Sequence, residues 1–197
     1  MKEIVFASNN SHKIEELRRM LGSHYRVLGL RDIGCLDDIP ETADSFEGNA
    51  LLKARWVKDH YGYDCFADDS GLEVDALGGA PGIFSARYSG ASENIAQANN
   101  EKLLKELAGV TDRSARFRTA IVLLQGDSAP RCFSGSVEGT ILEAPRGDAG
   151  FGYDPLFVPE GWNRTFAEAL PDEKNAVSHR GRAVRQLVDF LESQIGH

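Results

Sequence analysis

The alternation of strand and helix patterns along the chain predicts an α/β fold. Residues 3–7 form a short apolar run, and apolar residues then recur at helical spacing until Gly22, which describes half of a βαβ unit. Residues 115–125 and 131–142 form two strand patterns separated by a turn-rich segment, which predicts a long hairpin. We interpret this hairpin as mainly structural.

Strand and helix patterns continue to alternate between these two regions. A second strand is predicted at residues 25–30, and a second helix follows a polar loop. Asp44 and Glu47 stand at capping-box spacing at the start of that helix, and Gly62 ends it before a third strand at residues 64–69.

Two further helices are predicted later in the chain. Ser92 is expected to cap the first of them, and the apolar residues that it would bury are Ile95, Leu103, Leu104 and Leu107. The second is expected to begin near Ser178, and helical spacing predicts a buried face made of Val184, Leu187, Val188, Leu191 and Ile195.

Size, composition and charge fit one domain of ordinary globular composition over residues 1–197. The chain is 42% hydrophobic and 26% charged, and its net charge of −8 argues against a nucleic-acid or anionic-membrane surface. Its three cysteines have no metal-ligand spacing and indicate reduced thiols. The first apolar run is too short for a signal peptide, and no apolar window of about 18 residues predicts a membrane span. We therefore expect a cytoplasmic protein without nucleic-acid or membrane partners.

The segment at residues 64–75 carries the strongest functional signal. Its apolar run ends in Asp68 and Asp69, and Ser70-Gly71 is expected to turn the chain, leaving both carboxylates at a strand end. Side chains alternate across a regular strand, so the two acids should point in opposite directions. Two acids this close repel each other, and a divalent cation such as Mg²⁺ relieves that repulsion at neutral pH. An Asx-turn with two solvated acids is the alternative interpretation.

Positive side chains stand at two predicted helix starts, where the helix dipole favours an anion. Lys13 lies in the first turn of the first helix, after the polar residues 8–12, and free N–H groups there suit a phosphate. His179 and Arg180 open the last helix, and Lys174 precedes it. A solvated lysine balanced by neighbouring acids is an equally good interpretation of Lys13.

Two more patterns could contribute to a ligand site. Asn49 and Lys53 lie one turn apart on the second predicted helix, so both could reach one ligand, although most helical lysines are solvated. Phe151 and Tyr153 lie between glycines, and aromatic faces beside flexible backbone suit a planar base. A turn whose aromatic rings pack on the core is the alternative.

Taken together, these patterns resemble the noncanonical purine nucleoside triphosphate pyrophosphatases, which act on ITP, dITP and XTP. The resemblance covers essentially the whole chain. Six motifs carry it in order, namely Ser8-x-Asn10-x-x-Lys13, Phe46-x-x-Asn49-Ala-x-x-Lys53-Ala, Ala67-Asp-Asp-Ser-Gly-Leu72, Gly78-Gly-Ala-Pro-Gly-Ile-x-Ser-Ala-Arg87-Tyr, Gly150-Phe-Gly-Tyr-Asp-Pro155 and Ser178-His-Arg180. The resemblance implies an elongated two-lobed α/β fold with a mixed sheet, helices on both faces and a central substrate cleft, in a homodimer.

The resemblance also implies roles for individual residues. Glu41 and Asp69 would bind Mg²⁺, with Asp68 as a further candidate ligand, and Asp69 would be the base that activates water. The triphosphate would be held by Lys53 together with Ser8, Asn9, Asn10, Ser11, His12 and Lys13. The rest of the nucleotide would contact Ser70, Phe151, Gly152, Tyr153, Asp154, Lys174, His179 and Arg180.

The implied reaction is Mg²⁺-dependent attack of water on the α-phosphorus, which yields a nucleoside monophosphate and pyrophosphate and cleanses the nucleotide pool. The donors of Lys174, His179 and Arg180 would accept a 6-oxo purine and disfavour the 6-amino group of adenine. Two alternatives stay open at this point. One is a phosphatase that releases orthophosphate, and the other is a non-catalytic sensor that binds Mg-nucleotide and leaves it intact.

Overall fold

The computed structural model describes residues 1–195, and their strands form a six-stranded mixed sheet in the order β2-β1-β3-β4-β5-β6. Strand β1 runs parallel to both β2 and β3, whereas β5 and β6 are antiparallel. The strands are β1 (Lys2–Phe6), β2 (Tyr25–Leu28), β3 (Cys65–Val74), β4 (Ser114–Leu124), β5 (Arg131–Ile141) and β6 (Phe157–Pro159). The predicted α/β fold with a mixed sheet is confirmed.

Five α-helices accompany the sheet in the described chain. They are α1 (Ser11–Leu21), α2 (Phe46–Tyr61), α3 (Ile95–Glu106), α4 (Pro171–Val177) and α5 (His179–Ser193). None of the helices within residues 1–195 is long and apolar enough to cross a lipid bilayer.

The chain divides into two compact units. Unit 1 contains residues 1–69, residues 120–134 and the described chain from Ala183, and unit 2 contains residues 70–119 and 135–182. Strands β3, β4 and β5 each begin in one unit and end in the other.

The core of unit 1 follows from the alternation of side chains along β1. Ile4 and Phe6 pack in one cluster with residues of α1 and α5, whereas Val5 packs in a second cluster with residues of α2. Both faces of this strand are therefore buried, which explains its continuous apolar sequence. Helices cover both faces of the sheet in this unit, as predicted.

Unit 2 has a separate core that is rich in aromatic rings. Phe117 lies at its centre, with ring centroids 4.6 Å from Phe157 and 6.1 Å from Phe166. Leu72 and Val74, at the end of β3, are fully buried in the same cluster. Aromatic pairs at these distances contribute beyond the area that they bury.

The burial of Leu72 and Val74 corrects one expectation. Ser70-Gly71 does not turn the chain, because β3 continues without interruption from Cys65 to Val74. The ladder between β1 and β3 pairs Phe6 with Phe66, and β1 ends there. Asp68 and Asp69 therefore lie within β3 but beyond the carboxyl end of its parallel neighbour.

Several predicted helix ends and buried residues also differ. Ser45, not Asp44, caps α2, and its Oγ accepts a hydrogen bond from the Gly48 N–H at 3.0 Å. Helix α3 begins after Asn94, which adopts a positive φ of 47°, so Ser92 is not its cap. Two residues that were expected to be buried are exposed, namely Ile95 and Ile195.

The core assignment predicts a large stability loss for one substitution. Phe66 is fully buried and stacks on Phe6 with ring centroids 4.9 Å apart. Phe66→Ala should lower the free energy of unfolding by about 3–5 kcal/mol, because it leaves a cavity, and urea denaturation measures this change. Phe84 is 54% exposed, so Phe84→Ala should cost less than about 1 kcal/mol. Equal losses in the two variants would contradict the assignment.

Candidate active site

Asp68 and Asp69 face different helices of unit 1. The Asp68 Oδ2 accepts a hydrogen bond from the Nζ of Lys13 in α1 at 3.0 Å. The Asp69 Oδ2 accepts one from the Nδ2 of Asn49 in α2 at 3.3 Å. Consecutive side chains of a strand point to opposite faces, so this arrangement follows from the regular geometry of β3. It confirms the prediction that the two acids point in opposite directions.

Lys53 connects the main chain of Asp68 to a third carboxylate, that of Glu41. Its Nζ donates a hydrogen bond to the backbone oxygen of Asp68 and lies 3.3 Å from the Oε1 of Glu41. Lys53 and Lys13 are both half-buried and both contact Asp68, one through the main chain and the other through the side chain. The structure thus brings together the predicted metal ligands and lysines of unit 1, and we call Lys13, Glu41, Lys53, Asp68 and Asp69 the carboxylate–lysine cluster.

The loop before α1 is organised by Asn10. Its Oδ1 accepts hydrogen bonds from the N–H groups of His12 at 3.1 Å and Lys13 at 3.2 Å, and its own N–H donates to the Oγ of Ser8. Asn10 is thus the helix cap, and the two backbone donors expected to meet a phosphate are already satisfied. Asn9 and Asn10 of this loop are exposed, as are Ser11 and His12 in the first turn of α1.

The environment of Asp69 changes its acidity. Asp69 is 9% exposed, and burial is the main reason why its pKa rises from 3.8 to about 6. The charge of Lys53 and the Asn49 hydrogen bond lower the pKa, whereas the charges of Glu41 and Asp68 raise it. A carboxylate with a pKa near neutrality can take up and release a proton at the pH of the cell.

The donors of this cluster suit a hard divalent cation. They are carboxylate oxygens. Repulsion from Glu41 and Asp68 adds to burial in raising the pKa of Asp69, and a divalent cation relieves this repulsion. Residues 1–195 contain no group of three or more acidic, histidine or cysteine side chains arranged to hold a metal by themselves. Mg²⁺ usually takes only one or two protein carboxylates and completes its coordination with water and substrate phosphates. The residues therefore fit a cation that is bound together with a phosphate ligand.

A second cluster of predicted site residues lies in unit 2 and is organised by Asp154. The Oδ2 of this buried carboxylate accepts hydrogen bonds from the Lys174 Nζ at 2.6 Å and from the Phe151 N–H at 3.1 Å. Lys174 lies in α4, and its Nζ is 4.6 Å from the centroid of the Phe151 ring. The Arg180 guanidinium carbon is 5.3 Å from the same centroid. The ring of Phe151 is 52% exposed, so it is an accessible aromatic surface beside two cations.

The other predicted residues of unit 2 are less accessible. Tyr153 is buried, and its hydroxyl donates to the backbone oxygen of Ser85 at 2.7 Å. The imidazole of His179 is buried and stacks on Phe117 at 4.8 Å. The Ser70 Oγ lies 2.6 Å from the Thr119 Oγ1. Phe151 alone therefore offers an exposed aromatic face in this turn, and Tyr153 packs in the core.

Asn49 also belongs to this site, although the residue roles implied by the sequence do not include it. It is fully buried, its Nδ2 donates to Asp69, and its Oδ1 accepts from the Ala43 N–H at 2.9 Å. The available signal was the one-turn spacing from Lys53, which places both residues on one face of α2. Asn49 links Asp69 to the loop that carries Glu41.

A family model decides the identity of the chain, because the model of the Ham1 family matches residues 4–190. The chain belongs to the Ham1 family. Among curated Ham1-like relatives, the dITP/XTP pyrophosphatase of Flavobacterium johnsoniae is 53% identical over 190 residues, which cover 96% of this chain and 97% of the relative. The dITP/XTP pyrophosphatase of Porphyromonas gingivalis is 53% identical over 192 residues, or 97% and 98% of the two chains. The resemblance stated from the motifs is confirmed.

Solved structures of Ham1 proteins share the fold. The Staphylococcus aureus Ham1 protein aligns with a TM-score of 0.92 at 41% identity and covers 98% of this chain and 100% of its own. The nucleoside-triphosphatase / dITP/XTP pyrophosphatase of Mycobacterium abscessus aligns with a TM-score of 0.80 at 45% identity, covering 94% and 98%. The fold of this chain is therefore shared with these solved structures.

The raised pKa of Asp69 predicts that this Ham1 protein gains stability when the carboxyl group is removed. The folded state disfavours the ionised form, so stability is lost as pH rises from 3.8 through about 6, and the full cost persists at higher pH. In metal-free protein at pH 8, Asp69→Asn should be more stable than the wild type by roughly 1–3 kcal/mol. The gain should shrink toward pH 4.

Urea denaturation in the presence of a chelator measures this difference at the two pH values. Asp59 is exposed on α2, and Asp59→Asn is the matched control because it removes the same charge from the surface. A wild type more stable than Asp69→Asn at pH 8 would contradict the electrostatic description of the site.

Proposed function

We propose that this protein hydrolyses purine nucleoside triphosphates that carry a 6-oxo base, such as ITP, dITP and XTP, to the monophosphate and pyrophosphate. The carboxylate–lysine cluster is the main support for the proposal, because it contains two lysines and a carboxylate whose pKa is close to neutral pH. The names of the relatives support the same reaction and the same substrate class.

In this proposal Glu41 and Asp69 hold Mg²⁺ with the substrate, and Asp68 is a further candidate ligand. Mg²⁺, when bound, neutralises charge on the phosphate oxygens and fixes their position. Lys13 forms an ion pair with Asp68, and Lys53 forms one with Glu41. Both ammonium groups therefore lie beside the proposed metal ligands, where the phosphates of the substrate would bind. The triphosphate then forms ion pairs with both lysines, and it also contacts the side chains of residues 8–12.

Asp69 acts as the general base for the attacking water. The water oxygen forms a bond to the α-phosphorus, the bond between that phosphorus and the bridging oxygen breaks, and Asp69 accepts the proton. The leaving pyrophosphate gains negative charge, and Lys13 and Lys53 stabilise that charge. In the metal-free protein, a base with a pKa of about 6 is mostly ionised at neutral pH.

The cluster around Asp154 binds the base and sugar in this proposal. Phe151 supplies an aromatic face, and Lys174, His179 and Arg180 supply donors for the 6-oxo group of hypoxanthine or xanthine. Adenine presents a donor at this position, and mismatches of this kind can discriminate by about 10⁴-fold. The Ser70 hydroxyl and the backbone groups of Gly152 and Tyr153 complete the proposed contacts.

We also propose that the protein works as a homodimer in the cytoplasm. All three cysteines are free, which suits a reducing compartment, and the net charge of −8 leaves free nucleotides rather than nucleic acid as partners. Analytical ultracentrifugation tests the dimer.

One product assay tests the proposed reaction. Purified protein with Mg²⁺ is incubated with ITP, XTP, GTP or ATP, and pyrophosphate and orthophosphate are measured separately. We expect pyrophosphate from ITP and XTP, and Asp69→Asn should lower kcat by about 10²–10⁴-fold because it removes the base. Orthophosphate as the product would indicate a phosphatase, and intact ITP bound with Mg²⁺ would indicate a sensor. A variant that keeps most of its turnover would exclude Asp69 as the base.

A second variant tests the proposed contact with the base. Phe151→Ala removes the exposed ring and should raise KM for ITP about tenfold, because one base–aromatic stack is worth about 1–3 kcal/mol. Steady-state kinetics measures this change. Phe84 is also an exposed phenylalanine of unit 2, and Phe84→Ala should leave KM unchanged. Equal KM values for Phe151→Ala and the wild type would exclude stacking on Phe151.

A further inference from the structure

The proposed metal ligand Glu41 lies in a loop, residues 36–45, that has no regular secondary structure. Side chains of α2 at positions 49, 53 and 56 contact this loop, and their spacing places them on one face of the helix. After Glu41, the loop is fastened through the hydrogen bond between the Ala43 N–H and Asn49. Glu41 itself contacts Lys53.

Before Glu41, the loop is fastened through Asp37. The Oδ2 of Asp37 accepts hydrogen bonds from the Trp56 Nε1 at 3.0 Å and the Tyr61 hydroxyl at 3.2 Å, and the Cys35 Sγ lies 3.8 Å away. The hydrogen bonds from Trp56 and Tyr61 hold the pKa of Asp37 below its usual value. Asp37 is therefore ionised at neutral pH, and its charge strengthens the bonds that it accepts.

The partners of Asp37 are themselves fixed. The Trp56 ring stacks on His60 with centroids 4.1 Å apart, and the His60 Nδ1 lies 2.9 Å from the Trp56 backbone oxygen. Cys35 is fully buried, and its N–H donates to the Leu30 backbone oxygen at 2.9 Å. The carboxylate of Asp37 is exposed, but the donors that converge on it are held in place by the helix and by the core.

We infer that Asp37 is a positioning residue that fastens the loop to α2 and thereby holds the Glu41 carboxylate where it can bind a divalent cation. This inference rests on the proposed function, because it assigns Asp37 a role through a proposed metal ligand. Asp37 has no contact with substrate in this role. Residues that orient a metal ligand typically affect metal affinity or activity by about 10–100-fold when they are removed.

Calorimetric titration of Mg²⁺ into the metal-free, full-length protein, saturated with a non-hydrolysable ITP analogue that supplies the phosphate ligands, tests the inference without turnover. Asp37→Ala should weaken Mg²⁺ binding about tenfold, at the low end of that range, because the carboxylate is exposed. Asp37→Asn keeps an oxygen acceptor for Trp56 and Tyr61 and should restore most of the affinity. Asp38 is the exposed neighbour, and no hydrogen bond or ion pair involves its side chain within residues 1–195, so Asp38→Ala is the matched control.

A double-mutant cycle separates positioning from general destabilisation. Asp37→Ala should lower kcat/KM for ITP in the wild type but have little further effect in a Glu41→Gln background, because its role passes through Glu41. Equal losses in the two backgrounds would overturn the inference. If Asp37→Ala does not fold, Tyr61→Phe removes one donor and keeps the ring, and it should weaken Mg²⁺ binding in the same direction. An unchanged affinity in Tyr61→Phe would then overturn the inference.

The outcomes also separate this inference from the proposed function. If the wild type neither binds Mg²⁺ nor releases pyrophosphate, the proposed function fails and the inference fails with it. If the wild type does both and Asp37→Ala matches Asp38→Ala in affinity, only the positioning role of Asp37 is wrong.

Discussion

The structure of unit 1 depends on the position of Asp68 and Asp69, two consecutive acids of β3 that lie beyond the end of the parallel strand β1. Strand β1 stops at Phe6, so Asp68 and Asp69 extend past the ladder with their side chains on opposite faces. Each acid then meets a polar group from a different helix, Lys13 from α1 and Asn49 from α2. A buried carboxylate without such partners would cost several kcal/mol of folding free energy. The packing of α1 and α2 against β3 therefore depends on these polar contacts.

The folded protein stabilises the charge of Asp68 but not that of Asp69. Asp68 has a lysine at hydrogen-bond distance, whereas Asp69 is buried with a neutral amide and near other acids, and its pKa rises to about 6. Strained or desolvated groups persist where the surrounding structure holds them, and they often occur at functional sites. The same burial that reduces the stability of unit 1 gives Asp69 the acidity of a base that works near neutral pH.

Local patterns in the sequence predicted much of the fold and of the candidate site. The features that they missed depend on tertiary contacts. The opposite directions of Asp68 and Asp69 follow from side-chain alternation, which is a local property. The hairpin was predicted from two strand patterns separated by a turn-rich segment, which is also local. The predicted turn at Ser70-Gly71 is wrong, because the burial of Leu72 and Val74 in the core of unit 2 keeps the strand extended. The contact of Asp37 with Trp56 joins residues far apart in sequence, and no local pattern marks it.

Burial within the carboxylate–lysine cluster sets the protonation of Asp69 and prepares this carboxylate to bind a cation. Carbon-13 NMR titration of the Asp69 carboxyl group, assigned by comparison with Asp69→Asn, measures this most directly. We expect a midpoint near pH 6 in metal-free protein, because burial dominates, and a lower midpoint when Mg²⁺ is added with a nucleotide. A midpoint near 3.8 that does not move on these additions would contradict this role of burial and of the cation.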